Sequence, residues 1–153
     1  MNQYGLVEPL TNLTINSILK KEVNFIGCFS RENLPVINKL PISFIINTHE
    51  SNQPGEHWLA FYIDINGAEF FDSYGNSPNY FGHDLVNYLN KYKNWIFNKT
   101  KIQGNSNNCG YYCILFIMYR SKNKLKEFFN EFRFNSVKND FKLEKLIKKF
   151  SIN

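Results

Sequence analysis

Cysteine is scarce in this chain: three residues among 153, with no CxxC pair and no spacing that would ligate a metal. So sparse and odd a set argues against a disulfide framework and for free thiols in a reducing compartment. Long apolar runs are also missing. The longest, Tyr111 to Tyr119, falls well short of the roughly 20 residues a bilayer-spanning helix needs, so no membrane partner is expected. The opening MNQYGLVEPL has no basic segment leading into an apolar one, which argues against a secretory leader. Internal repeats, linker-like stretches and low-complexity tracts are absent as well, and one domain over residues 1–153 is the expectation. What is abundant is aromatic side chain. Fifteen Phe and nine Tyr in a chain that is 43% apolar can build a core, which excludes a disordered tail or linker.

Charge is unevenly placed. The net charge is +5, and residues 120–149 hold ten Lys and Arg against four Asp and Glu. On a helix from about Asn139, Leu143, Leu146, Ile147 and Phe150 share one face. Lys138, Lys142, Lys145 and Lys149 line another, where they form either a solvated surface or a polyanion-binding stripe.

The remaining pattern predicts an α+β fold. NLTINSILKK (12–21) suggests a helix capped by Thr11 or Asn12. SFIINT (43–48), HWLAFYI (57–63) and AEFFD (68–72) predict strands, the last two joined through the turn at Asn66-Gly67. HESNQPGE and SYGNSPNYFG are loops by composition. Leu85, Tyr88, Leu89 and Tyr92 give residues 83–95 a helical face, and 96–102 predicts another strand. From Cys109 the chain is apolar nearly all round, as in a central buried helix packed on a small sheet, with two further helices to the end.

The chemistry gathers at the start of that helix. A packing cysteine belongs deeper in the apolar run, where Cys113 sits, whereas Cys109 falls in the first turn behind the polar GNSNN. Orphan N–H groups and the positive end of the helix dipole stabilise a thiolate there. His57 opens a strand, next to Trp58, whose flat ring could shield an imidazole. Asp72 ends the neighbouring strand, so a hairpin brings both to one end of the sheet. There Asp72 serves either as an acceptor for the imidazole Nδ1 proton or as a turn cap before Ser73. Gln103, six residues before Cys109, can offer its amide beside the Cys109 N–H to a developing oxyanion.

GEHWLAFYID, EFFDSYG and QGNSNNCGYYC resemble, in order and spacing, the adenovirus proteinase family of cysteine proteases, which shares a papain-like-superfamily fold with the SUMO-specific proteases. The resemblance covers about residues 25–120, with GCFSRENLP also similar to the family's N-terminal segment. It is strongest to versions encoded by Maverick/Polinton-type elements and virophages. It implies Cys109 as nucleophile, His57 as general base, Asp72 as orienting acid and Gln103 as oxyanion donor, with Trp58 and Gly110 flanking them. It further implies a thiol-dependent endopeptidase that needs no metal or cofactor. This enzyme would cut viral capsid precursors at small, Gly-containing sites during virion maturation. It would be a monomer, intracellular in the host, packaged in the virion and open to stimulation by DNA. The chain departs from the adenovirus enzyme in its shorter length and in Asp72, where that enzyme has Glu. It has no cysteine between residues 73 and 108, so a disulfide-linked activating peptide is not expected. The alternatives are a deconjugase of ubiquitin-like modifiers and a basic nucleic-acid-binding structural protein in which the constellation is relict.

Overall fold

The computed structural model describes residues 10–49 and 57–150. The segment before Leu10 and the HESNQPGE loop beyond His49 lie outside the described residues. Five strands, β1 (Phe25–Ser30), β2 (Ile42–Asn47), β3 (Trp58–Asp64), β4 (Gly67–Phe71) and β5 (Trp95–Phe97), form one sheet in the order β1-β2-β3-β4-β5. The outer pairs β1–β2 and β4–β5 are parallel, while β2–β3 and β3–β4 are antiparallel, so the sheet is mixed.

Helices cover both faces of this sheet. On one face lie α1 (Asn12–Leu19), α4 (Cys109–Ser121), α5 (Leu125–Glu131) and α6 (Ser136–Lys149). On the other lie the short α2 (Pro78–Phe81) and α3 (His83–Leu89). The central strand β3 explains how. Trp58, Ala60 and Tyr62 pack toward α4, while Leu59, Phe61 and Ile63 pack toward α3. A strand buried on both sides loses the polar half of its alternation, and β3 has no charged residue from Trp58 to Ile63 for that reason. Helix α4 is the expected central helix: its residues Cys109 to Ile117 are all buried.

Three elements differ from the sequence reading. Strand β1 was not foreseen; Gly27 interrupts its alternation, and the ladder to β2 shifts register between Phe25 and Cys28. The helix expected over 83–95 stops at Leu89. There the bonds from Lys91 N–H to Tyr88 O and from Tyr92 N–H to Leu89 O tighten the last turn, and the Asn94 carbonyl is captured by the Ala68 N–H at 2.7 Å. The strand expected over 96–102 spans Trp95–Phe97 only. Beyond it the Asn98 side chain turns back to Asp72, and Lys99 sits at φ 60°, which ends the ladder.

Candidate active site

The antiparallel pairing of β3 with β4 sets Ala60 opposite Phe71, so the residues just outside the pair, His57 and Asp72, meet at one sheet end. His57 Nε2 donates to Asp72 Oδ1 at 2.6 Å. That corrects the expected atom: the carboxylate holds Nε2, which leaves Nδ1 as the other ring nitrogen, and Cys109 lines the same cleft beside the ring. Burial lowers the pKa of His57, but the Asp72 bond and the adjacent Cys109 outweigh it and raise the ring to about 9. The arrangement therefore favours the protonated imidazolium at neutral pH.

Asp72 fills both roles that its sequence position left open. It is fully buried. Besides holding His57, its carboxylate accepts the N–H of Tyr74 (3.1 Å) and of Asn76 (3.0 Å), the bonds of a side chain shaping the turn that follows. Asn98 clamps it from the neighbouring segment, accepting from the Asp72 N–H at 3.2 Å and donating to its carbonyl at 2.7 Å. With the backbone fixed on both sides, the carboxylate has one direction to point.

Cys109 is the first residue of α4, 6% exposed, with buried Asn108 before it. The first-turn N–H groups have no partner within the helix, and the Cys109 N–H is among them. Cys113, one turn on, donates its thiol to the Trp58 carbonyl at 3.3 Å. Burial pushes its pKa far above the usual thiol range, and burial raises Cys28 to about 12. Neither has an imidazole beside it of the kind that Cys109 has in His57.

Gln103 is buried, and its amide is oriented from both ends. The Ser73 hydroxyl donates to Oε1 at 2.5 Å, and Nε2 donates to the Ser106 carbonyl at 2.7 Å. The Oε1 contact fixes which end is the donor, and Gln103 lines the same cleft as Cys109 and His57. That cleft holds about 530 Å³ and is walled by Leu10, Trp58, Tyr74, Tyr80 and Phe81.

The rings stacked on His57 are Tyr74, 5.2 Å between centroids, and Phe81 at 6.0 Å. Both come from a stretch read as plain loop. Trp58, which lines the same cleft, is buried beside Gly110, where an added Cβ would lie 3.2 Å from both Trp58 and Leu10. The roles of Ser73, Asn98, Tyr74 and Phe81 went unremarked in the sequence. A serine directly after the acid, and an asparagine inside a predicted strand, were the available signals for the first two. The lysines lie apart from the cleft on α6. Lys138, Lys145 and Lys149 are exposed, and Lys142 is paired with Glu131 at 3.0 Å. Among the described residues no cluster of His, Cys, Asp and Glu is arranged to hold a metal, and no helix is long and apolar enough to cross a membrane.

No family model matches the chain. It is similar to a thiol protease of Acanthamoeba polyphaga mimivirus, 26% identical over 120 residues, which make up 72% of this chain and 34% of that protein. A shorter match, 45% identical over 38 residues, is to a cysteine protease of African swine fever virus and covers 22% of this chain and 14% of that one. The chain thus spans only a minor part of either relative. Among solved structures, the African swine fever virus protease superposes with a TM-score of 0.58 at 18% identity, covering 92% of this chain and 68% of that one. The SUMO protease Ulp1 superposes at 0.55 and 17% identity, covering 100% and 88%. The C-terminal Ulp1 domain in complex with the yeast orthologue of SUMO gives 0.52 at 15% identity, covering 92% and 75%. The α+β architecture is therefore the papain-like cysteine protease fold in the form shared by these viral and SUMO-specific enzymes.

Proposed function

We propose that the chain is a cysteine endopeptidase in which Cys109 is the nucleophile, His57 the acid–base group, Asp72 its orienting partner and Gln103 an oxyanion donor. The observation that carries this reading is the bond from His57 Nε2 to the buried Asp72 carboxylate, with Cys109, the first residue of α4, beside the same ring. The Cys109 thiolate adds to a substrate carbonyl carbon, and the carbonyl electrons move to oxygen. The Gln103 amide and the Cys109 N–H donate to that oxyanion. Collapse of the intermediate expels the amine, which takes its proton from His57 Nδ1. Water, deprotonated by the same nitrogen, then releases the acyl-enzyme as a carboxylic acid and restores the thiolate.

The aromatic walls of the cleft suit an extended chain with small side chains at the cut, Gly above all. The similarity to viral proteases, with the resemblance to the adenovirus proteinase, supports capsid precursors as substrates, within the host cell and the maturing virion. The enzyme is proposed to act as a monomer. The exposed lysines of α6 are proposed to take a polyanion such as DNA.

Peptide-library cleavage tests the reading, with capsid-precursor and modifier-fusion substrates run in parallel. Cutting after small residues, lost in Cys109→Ala and retained in Cys113→Ala, is expected. A preference for bulky residues before the cut refutes the specificity, and cleavage confined to modifier fusions makes the protein a deconjugase.

A further inference from the structure

The polypeptide between β5 and α4 carries Gln103 and ends at the nucleophile, yet it forms no strand or helix of its own. Its path is imposed from two sides. On one side the Ser73 carbonyl accepts from the N–H groups of Ile102 (2.8 Å) and Gln103 (3.0 Å). On the other side stands α6, from the far end of the chain. Asn139 Nδ2 donates to the Ile102 carbonyl at 3.1 Å, and the Asp140 carboxylate accepts from the Gly104 N–H at 3.1 and 3.2 Å. Tyr112, in the first turn of α4, donates its hydroxyl to the same carboxylate at 2.7 Å. Asp140 thereby ties the peptide after Gln103 to the helix that begins with Cys109.

These contacts exceed what docking a helix requires. Leu143, Leu146 and Ile147 already bury the apolar face of α6. Asn139 is fully buried in a helix, where asparagine is disfavoured, and spends its remaining bonding on the Phe134 backbone. Gly104 fits the same picture. A Cβ there would lie 2.5 Å from Asp140 Oδ2 and 3.2 Å from the Ser136 carbonyl, so glycine is what lets α6 approach.

We propose that Asp140, supported by Asn139, is a positioning residue for the oxyanion donor: it sets the Gln103–Gly104 peptide, and through it the direction of the Gln103 amide relative to Cys109. This rests on the cleft being a peptidase site. Asp140 acts on the segment that carries the donor and reaches the helix of the nucleophile through Tyr112, with no hydrogen bond to Cys109 or His57. A misplacement of about 1 Å in such a group can cost on the order of 10²-fold in rate.

The test compares full-length wild type, Asp140→Ala, Asp140→Asn and Gly104→Ala in three measurements. These are kcat and KM on a cleaved peptide, affinity for a peptide aldehyde, and the rate of Cys109 alkylation by iodoacetamide. Asp140→Ala is expected to lower kcat by roughly 10- to 100-fold with KM changed less than about threefold, and to weaken the aldehyde in step with kcat/KM. Alkylation, which needs no oxyanion donor, should stay within about twofold of wild type. Asp140→Asn keeps an acceptor for the Gly104 N–H and should recover most of kcat. Gly104→Ala presses on the same carboxylate and should reproduce the split, which keeps the test open should Asp140→Ala fail to fold. An unchanged kcat, or a kcat that falls only in parallel with alkylation, overturns the proposal. A wild type that alkylates at Cys109 but cleaves no peptide overturns the peptidase reading, and this inference with it.

Discussion

At the scale of single residues, the charge on His57 decides what the site can do. The ring is mostly removed from solvent, which opposes its charge, but the Asp72 bond and Cys109 prevail and raise it from 6.5 to about 9. At neutral pH it therefore holds the proton that a leaving amine must receive. Turnover of an amide substrate should fall as pH rises through about 9, while alkylation of Cys109, which needs only the thiolate, should not fall with it. Stability follows the same sign. A pKa raised on folding contributes fully below the unfolded value near 6.5 and is lost as pH rises through about 9. Wild-type Tm should thus decline across that window more than that of His57→Ala; identical slopes would remove the raised pKa from the account. The hairpin placed His57 and Asp72 together from sequence alone, because register follows from the turn. Which ring nitrogen faces which partner depends on side-chain rotamers, and no sequence pattern encodes them.

At the scale of elements, the site depends on one segment pressed against another. The turn after β4 lies on the stretch leading to Gln103, and Gly75 is where they touch. It sits at φ 75°, and a Cβ there would lie 2.6–2.8 Å from the Thr100 and Lys101 backbone. Gly75→Ala should cost about 1–3 kcal/mol in a denaturant melt, from backbone strain and clash together. It should also reduce activity, because the same contact sets Ser73 against Gln103; a variant as stable and active as wild type would contradict this. The long elements were legible. Helix α4 announces itself by its apolar run and polar approach, and β3 and β4 by their aromatic and β-branched residues. The failures were at sheet edges. Strand β1 hides behind Gly27, β5 is three residues long, and α3 ends where a neighbouring strand captures Asn94, a long-range event no local window contains. Helix α6 was read for its lysines; the structure shows that Asn139 and Asp140, one turn from its start, bond the backbone on either side of Gln103.

At the scale of the whole molecule, the fold brings His57, Asp72 and the segment from Gln103 to Cys109 to one end of a sheet and leaves the basic surface elsewhere, on α6. If that surface takes polyanions, binding of duplex DNA should be sequence-independent and fall steeply with salt. Replacing Lys138, Lys142, Lys145 and Lys149 by Gln should flatten the salt slope while leaving cleavage of a short peptide intact. Lys142, paired with Glu131, should contribute least of the four; a quadruple variant with the wild-type slope reduces the stripe to a solvated surface. The central claim lies away from that surface: the proposed nucleophile is one thiol of three, Cys109, the one beside His57. A peptidyl vinyl sulfone added to the full chain, followed by mass spectrometry of the digested adduct, tests it most directly. The account predicts a single adduct on Cys109, lost in His57→Ala, with Cys28 and Cys113 unmodified while the protein stays folded. Labelling of Cys28 or Cys113 at a comparable rate, or of Cys109 undiminished without His57, would contradict it.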